Sequence, residues 1–447
     1  MTESTTSQAN AGELLERAHQ IVDMAQKAGA DESWVSVRRS REVEFSLRDG
    51  KLEEVKDATS RSVSLRLYVD GRYSTHSTTV LRPQELGSFI SEAVALTRAL
   101  QPDSFRLITD PLLFEGRSTK DLQLVDSGVS ALTRDERIDL CKAQNAELAG
   151  KEKVISATSG TSDGHVMSAA VSSNGFEGSK ENTYMWIGSS LTVQGEGDKK
   201  PAAWMWAGAN HRADVPSPIK IATEAMRRAH SRLGTQKGPT TKTTMIVHPS
   251  AAPRLIGRLL GPLNASLVQQ GRSFWADKQG QKAVSELLSI SDDPLIPRAL
   301  GSRLYDGEGI AAKAMPLITA GALDNYYVNT YYGRKLGWAP TTGSSSNRIV
   351  ALGDKDMTAL MSDAGSGVLV EGWLGGNADS TTGDFSFGVR GHMINNGVLG
   401  APVSEMNVTG NLLDLFSSLV ALGNDPWPYS STKAPTLVFE GVQFSGV

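Results

Sequence analysis

Glu371, Asp384 and Glu405 fall within one glycine-rich stretch, residues 365–411, and carboxylates brought to one place are able to divide general acid and general base work between them. Carboxylates beside backbone turns more often hold the turn, and the sequence leaves both readings open. The histidines do not add a metal motif to this. His19, His76, His165, His211, His230, His248 and His392 are scattered, whereas a zinc-hydrolase helix sets two histidines and a glutamate on one face. No catalytic metal held by this chain is expected. Gly160-Thr161-Ser162-Asp163-Gly164, followed by His165, matches a nucleophile elbow, but that device needs a sharp strand-to-helix turn. Residues 165–171 read as strand instead, so the pentapeptide is expected to be a polar hairpin tip. Gly365-Ser366-Gly367 and Gly375-Gly376 complete neither a dinucleotide fingerprint nor a Walker loop. His248-Pro249 reads as a loop histidine, and Cys141, inside a helical pattern, as a small core residue.

The elements that must position these groups are legible in the spacing. Leu14, Leu15, Ala18, Ile21, Val22 and Ala25 form a helical stripe stopped by Gly29, after a polar tail, expected to be disordered, over about residues 1–10. Alternating runs then follow at 34–37, 43–47 and 62–69, with Asp49-Gly50 and Asp70-Gly71 as turns, which is an antiparallel meander. A helix is expected from Pro83 to Leu100, and a second opens at the capping box Thr133–Glu136 and runs to Leu148. Residues 102–132 between them read as a connecting arm. Strands resume at Val154 with Asn174-Gly175 as a hairpin turn, and Trp186, Trp204 and Trp206 add wide aromatic surface, read as packing. Ser217-Pro218 begins a helix to Leu233.

After a boundary at 234–239 come a strand (243–247), a helix (about 251–260) and the glycine-rich stretch. There Gly383–Gly388 alternates aromatics and Asn396-Gly397 marks a hairpin. The class is α+β: an N-terminal domain of helices and antiparallel strands, 1–235, and a glycine-rich, mostly antiparallel β domain, 236–447.

Composition narrows the function. Lys+Arg 45 against Asp+Glu 49 gives no electrostatic footprint for nucleic acid. A single cysteine rules out an intrachain disulfide and allows a reducing compartment. No basic n-region or bilayer-length apolar run is present, so the expectation is a cytoplasmic protein with no membrane partner.

Thr381-Thr382-Gly383-Asp384-Phe385-Ser386, Asn396-Gly397, Ala401-Pro402-Val403-Ser404-Glu405 and Gly410-Asn411-Leu412 together resemble the C-terminal signature of the TldD/PmbA family, on its PmbA (TldE) side. The likeness extends over most of the chain: Ser62–Arg72, Phe274-Trp275, Lys278–Gly280, Asp306-Gly307-Glu308-Gly309 and Tyr331–Gly337 fall in the family's order. The resemblance implies a subunit of a cytosolic TldD/TldE-type metallopeptidase. Such a complex cleaves or trims peptides, including precursors of modified peptide natural products and unfolded antitoxin-like proteins. Its TldD-like subunit carries the metal, zinc or a similar divalent ion, on a His-Glu-x-x-x-His helix with a distant cysteine.

Aligned on that helix, Ala252–Leu263 puts Arg258, Leu259 and Leu263 at the ligand and base positions, and these residue types can serve as neither. The lone cysteine lies in the other half. The resemblance therefore implies no catalytic residue and no cofactor in this chain, a TldD-like sister chain as partner, and a peptide or unfolded protein as substrate. Gly375, Gly376, Gly383, Asp384, Phe385 and Ser386 are the expected cavity-facing loop, because glycines and strand edges admit an extended peptide. Two alternatives stand beside this: a self-sufficient hydrolase using Asp384 or Glu405, and a non-enzymatic, peptide-binding homodimer.

Overall fold

The computed structural model describes residues 11–447 in full and, of residues 2–10, only their place in the first helix. The tail expected over about 1–10 lies outside the described residues. Helix α1 (Thr2–Lys27) leads into three long strands, β1 (Glu32–Arg48), β2 (Lys51–Val69) and β3 (Arg72–Thr78), and then α2 (Pro83–Arg98). The turn pairs Asp49-Gly50 and Asp70-Gly71 take positive φ at both residues, as tight hairpins require. After the arm come a single turn, α3 (Ser127–Ser130), and α4 (Arg134–Ala146), which opens on the expected capping box with both reciprocal bonds formed. Strands β4 (Val154–Ser172), β5 (Glu177–Val193) and β6 (Ala202–Ala209) follow, then α5 (Pro218–His230), capped by Ser217 and started by its proline.

The first sheet runs β3-β2-β1-β4-β5-β6 with every neighbour antiparallel. Its face is covered in two patches. Helices α1 and α2 bury Ile21, Leu86 and Ile90 against Val35, Leu65 and Leu67, while α5 lays Ile221, Ala222, Ala225 and Ala229 on Met185, Ile187 and Leu191. The small residues of α5 let the helix lie close on its strands.

The pentapeptide Gly160–Gly164 is neither an elbow nor a hairpin tip. It sits mid-strand in β4, where its two glycines receive aromatic rings from β5 and β6. A Cβ at Gly160 would lie 3.1 Å from the Trp206 ring, and one at Gly164 would lie 2.5 Å from the Tyr184 hydroxyl. Asp163 is buried in a bidentate pair with Arg137 of α4 (2.7 and 2.6 Å).

The second half opens with β7 (Gln236–Lys237) and β8 (Thr241–Val247), then α6 (Ala252–Leu260). A small five-stranded sheet, β11-β10-β9-β12-β17, joins β9 (Ile290–Asp292), β10 (Met315–Thr319), β11 (Ala322–Leu323), β12 (Arg348–Val350) and β17 (Thr432–Lys433). The main sheet has the order β16-β18-β8-β13-β14-β15-β7. It adds β13 (Gly367–Ala378), β14 (Asp384–Asn395), β15 (Val398–Asn411), β16 (Leu419–Leu422) and β18 (Leu437–Ser445). Its pairs are antiparallel except β13 with β8 and β15 with β7. Asn396-Gly397, both at positive φ, turn β14 into β15. The expected boundary stretch 234–239 is itself tied to this sheet, through the pairing of β7 with Val403-Ser404. No helix among the described residues is long and apolar enough to cross a membrane.

Candidate functional site

Between the two large sheets lies a cavity of about 300 Å³ into which five arginines and four tryptophans converge. Clefts where domains meet are the usual place for ligands. From the first half, β6 supplies Trp204 and Trp206, which alternate outward along the strand, and the basic end of α5 supplies Arg227, Arg228 and the following Arg232. From the second half come His248, Ser250 and Arg254 where β8 passes into α6, then Glu371 to Trp373 on β13, Arg390 on β14, and Trp427.

A β-bulge shapes the floor. The register of β13 on β14 shifts between Val370 and Gly372, so that Gly372 stands opposite Arg390. A Cβ at Gly372 would come 2.8 Å from Arg390 Nε, so a side chain there would make the guanidinium shift from this position. The guanidinium rests over the Trp204 ring, 4.7 Å from its centroid, and its buried Nε has no hydrogen-bond partner among the described residues. Arg232 also faces that ring, at 5.7 Å, and bonds the Ala202 carbonyl. Burial, and then repulsion from Arg390, bring Arg232 down to about 10. Arg390 is likewise lowered, chiefly by burial.

The acids nearby are already engaged. Glu224 accepts from both Arg227 and Arg228. Burial works to raise its carboxyl, but the two guanidiniums outweigh it and hold the group near 2. Glu371, the single acid lining the cavity, bonds His392 Nδ1 at 2.8 Å, and His392 Nε2 faces the Ser231 carbonyl at 3.0 Å. Both partners accept, so both ring nitrogens donate and the ring is an imidazolium. His248 is the opposite case. Burial, reinforced by Arg228, pushes it down to about 4, and its Nδ1 accepts the Ser250 amide.

The expected site residues lie elsewhere. Gly375 and Gly376 on β13 pair across a hairpin with Gly388 and Phe387, next to Gly383, Asp384, Phe385 and Ser386 at the start of β14, so all six share one hairpin end, but none lines the cavity. Phe385 is buried in the core beneath it. Asp384 is exposed and bonds Thr382 and Asn411, which holds the turn. Glu405, at positive φ, pairs among the described residues with Lys237, at 3.5 Å. On α6, Arg258 points to solvent and Leu259 is fully buried, as is Leu263 in the 3-10 turn that follows the helix. Cys141 is buried against Phe45 and Thr161, and burial pushes its thiol up to about 11.

The cavity-lining arginines escaped sequence reading. The one local signal, Arg227-Arg228-Ala229-His230-Ser231-Arg232, is also what an ordinary helix C-terminus looks like. Trp204 and Trp206, read as packing residues, are 49% and 42% exposed, because their strand carries them to the outer face toward this cavity.

Family models described as PmbA/TldA metallopeptidase domain 1, central domain and C-terminal domain match residues 35–97, 128–233 and 240–446. The chain belongs to the TldD/PmbA family. It is 25% identical over 421 residues to metalloprotease PmbA of Escherichia coli O157:H7, covering 93% of each chain. A metalloprotease PmbA homolog of Haemophilus influenzae is 24% identical over 445 residues, 97% of this chain and 96% of that one. A crystal structure from Bacteroides thetaiotaomicron superposes with a TM-score of 0.94 at 38% identity, covering 97% of this chain and 98% of that one. TldE from Thermococcus kodakarensis shares the fold, with a TM-score of 0.84 at 17% identity over 96% and 100% of the two chains.

The metal that the family's description implies does not fit the residues around this cavity. A ligand needs a free lone pair, which the His392 imidazolium lacks and His248 Nδ1 has committed to Ser250. Among the described residues, no three of His, Cys, Asp and Glu gather as metal ligands would.

Proposed function

We propose that this chain is the PmbA/TldE-like, non-catalytic subunit of a heteromeric TldD/TldE-type metallopeptidase acting on peptides in the cytoplasm. A TldD-like sister chain supplies zinc or a similar metal and the catalytic groups. This chain forms part of the wall that confines and positions the peptide, with the hairpin end around Gly375, Gly376 and Gly383–Ser386 facing that space. The carrying observation is α6. Its inward face is Leu255, Ile256 and Leu259, packed into the main core, and Arg254 and Arg258 are its exposed residues, so neither face offers a donor for a metal or a base for its water. The TldE-like fold supports the same reading.

The test is to purify the tagged chain from its native cells, identify the proteins that accompany it by mass spectrometry, and measure metal in the same fraction. A near-stoichiometric sister chain bearing a His-Glu-x-x-x-His helix, with metal and peptide cleavage following that complex, is the expected result. Metal-dependent cleavage by this chain alone would overturn it. In the assembled complex, alanine at Asp384 and Ser386 should slow cleavage, and unchanged kinetics would remove the hairpin from the cavity wall.

A further inference from the structure

We infer that the cleft between β6, α5 and the bulge of β13 is an oxyanion-binding site, which takes the carboxylate or phosphate group of a small ligand with Arg390 as its anchor. Of the five arginines lining the cavity, Arg227 and Arg228 share Glu224, and Glu371 is taken by His392, so Arg232, Arg254 and Arg390 have no carboxylate partner among the described residues. Cations packed this closely repel one another, and a fold keeps them together at least cost when an anion is shared among them. Burial lowers the proton affinity of Arg232 and Arg390, and repulsion, from Arg390 on Arg232 and from Arg228 on Arg390, adds to it.

Arg390 carries the argument. Its Nε is buried with no partner among the described residues, lying against Gly372 where β13 is bulged. An unmatched buried donor beside a cavity is a binding group awaiting its acceptor. Trp204 lies against both guanidiniums, at 4.7 Å from Arg390 and 5.7 Å from Arg232, and Arg232 spends one donor on the Ala202 carbonyl. The volume lies at the small end of ligand clefts, which run from roughly 300 to 1,000 Å³, so it suits a terminal residue or a phosphate group rather than a folded partner.

The inference concerns this chain alone and stands apart from its assembly with a sister chain. Isothermal titration of the purified full chain at fixed pH would use three probes: the tripeptide Gly-Ala-Phe with a free carboxylate, the same peptide amidated, and inorganic phosphate. Saturable binding of the free acid but not the amide, or of phosphate, supports the site and tells the two sources apart. Arg390→Gln should weaken that binding about tenfold or more, since a charge-assisted hydrogen-bonding group is lost. Arg254→Gln, at an exposed side chain whose loss leaves the core intact, should weaken it several-fold, and Arg82→Gln, far from the cleft, should not. Absence of saturable binding by all three probes overturns the inference. So does equal affinity for acid and amide with none for phosphate, or wild-type affinity in both cleft variants. None of these results bears on whether a sister chain is captured, so the two readings fail separately.

Discussion

His392 and Glu371 form an ion pair 2.8 Å apart, and the other imidazole nitrogen bonds the carbonyl of Ser231, just past the end of α5. One nearly buried ring therefore fastens the last turn of the first half to the central sheet of the second. Burial alone would push the ring down, but the hydrogen bond and charge of Glu371 outweigh it and the proton is held more tightly than usual.

Because the folded value is raised above the ordinary 6.5, the contribution of His392 is fully present below pH 6.5 and is lost as pH rises through the folded value. His392→Gln should lower Tm most at pH 6, and the gap to wild type should shrink toward pH 9. A gap that stays constant across thermal scans at pH 6, 7, 8 and 9 would show that the ring is not charged in the native state.

His248 has the reverse sign. Its folded value, about 4, lies below the ordinary 6.5, so the native state binds fewer protons and stability falls as pH drops from 6.5 toward 4. Protonation would also break the bond from the Ser250 amide to Nδ1. His248→Asn should flatten this acid limb of the stability profile. A limb as steep as that of wild type in thermal scans between pH 4 and 6.5 would assign the loss to other groups.

Arg137 and Asp163 meet with both side chains only 4% exposed. Asp163→Asn should cost about 3–5 kcal/mol in urea unfolding, because it leaves a buried guanidinium without its counter-charge. The double variant Arg137→Met with Asp163→Leu should recover much of that loss. A single-variant cost below about 1 kcal/mol would mean that water reaches the pair.

Trp186 and Trp206 cross each other's strands, each ring lying over the glycine opposite: Trp186 on Gly208 and Trp206 on Gly188. A Cβ at Gly208 would stand 2.1 Å from the Trp186 ring, and the ring cannot leave without exposing its strand. Gly208→Ala should therefore destabilise by about 1–3 kcal/mol by overpacking, read as a lower urea midpoint with unchanged m. A neutral result would show that the indole swings aside freely.

What the sequence by itself determined is what depends on neighbours along the chain. The positive-φ pairs Asp49-Gly50, Asp70-Gly71 and Asn396-Gly397, the capping box at Thr133, the Ser217-Pro218 helix start and the alternation around Phe385 and Phe387 each specify local backbone, and together they give the α+β class. Tertiary structure alone decided three things. Gly160–Gly164 became mid-strand because rings from other strands fill its glycines. Glu371 became the partner of a histidine twenty-one residues away rather than a free acid or a turn-holder. The arginine cleft was drawn from separate stretches between residues 204 and 427. Sheet register and a bulge set these meetings, and both are fixed by cross-strand packing between distant segments, which leaves no periodic trace in any one of them.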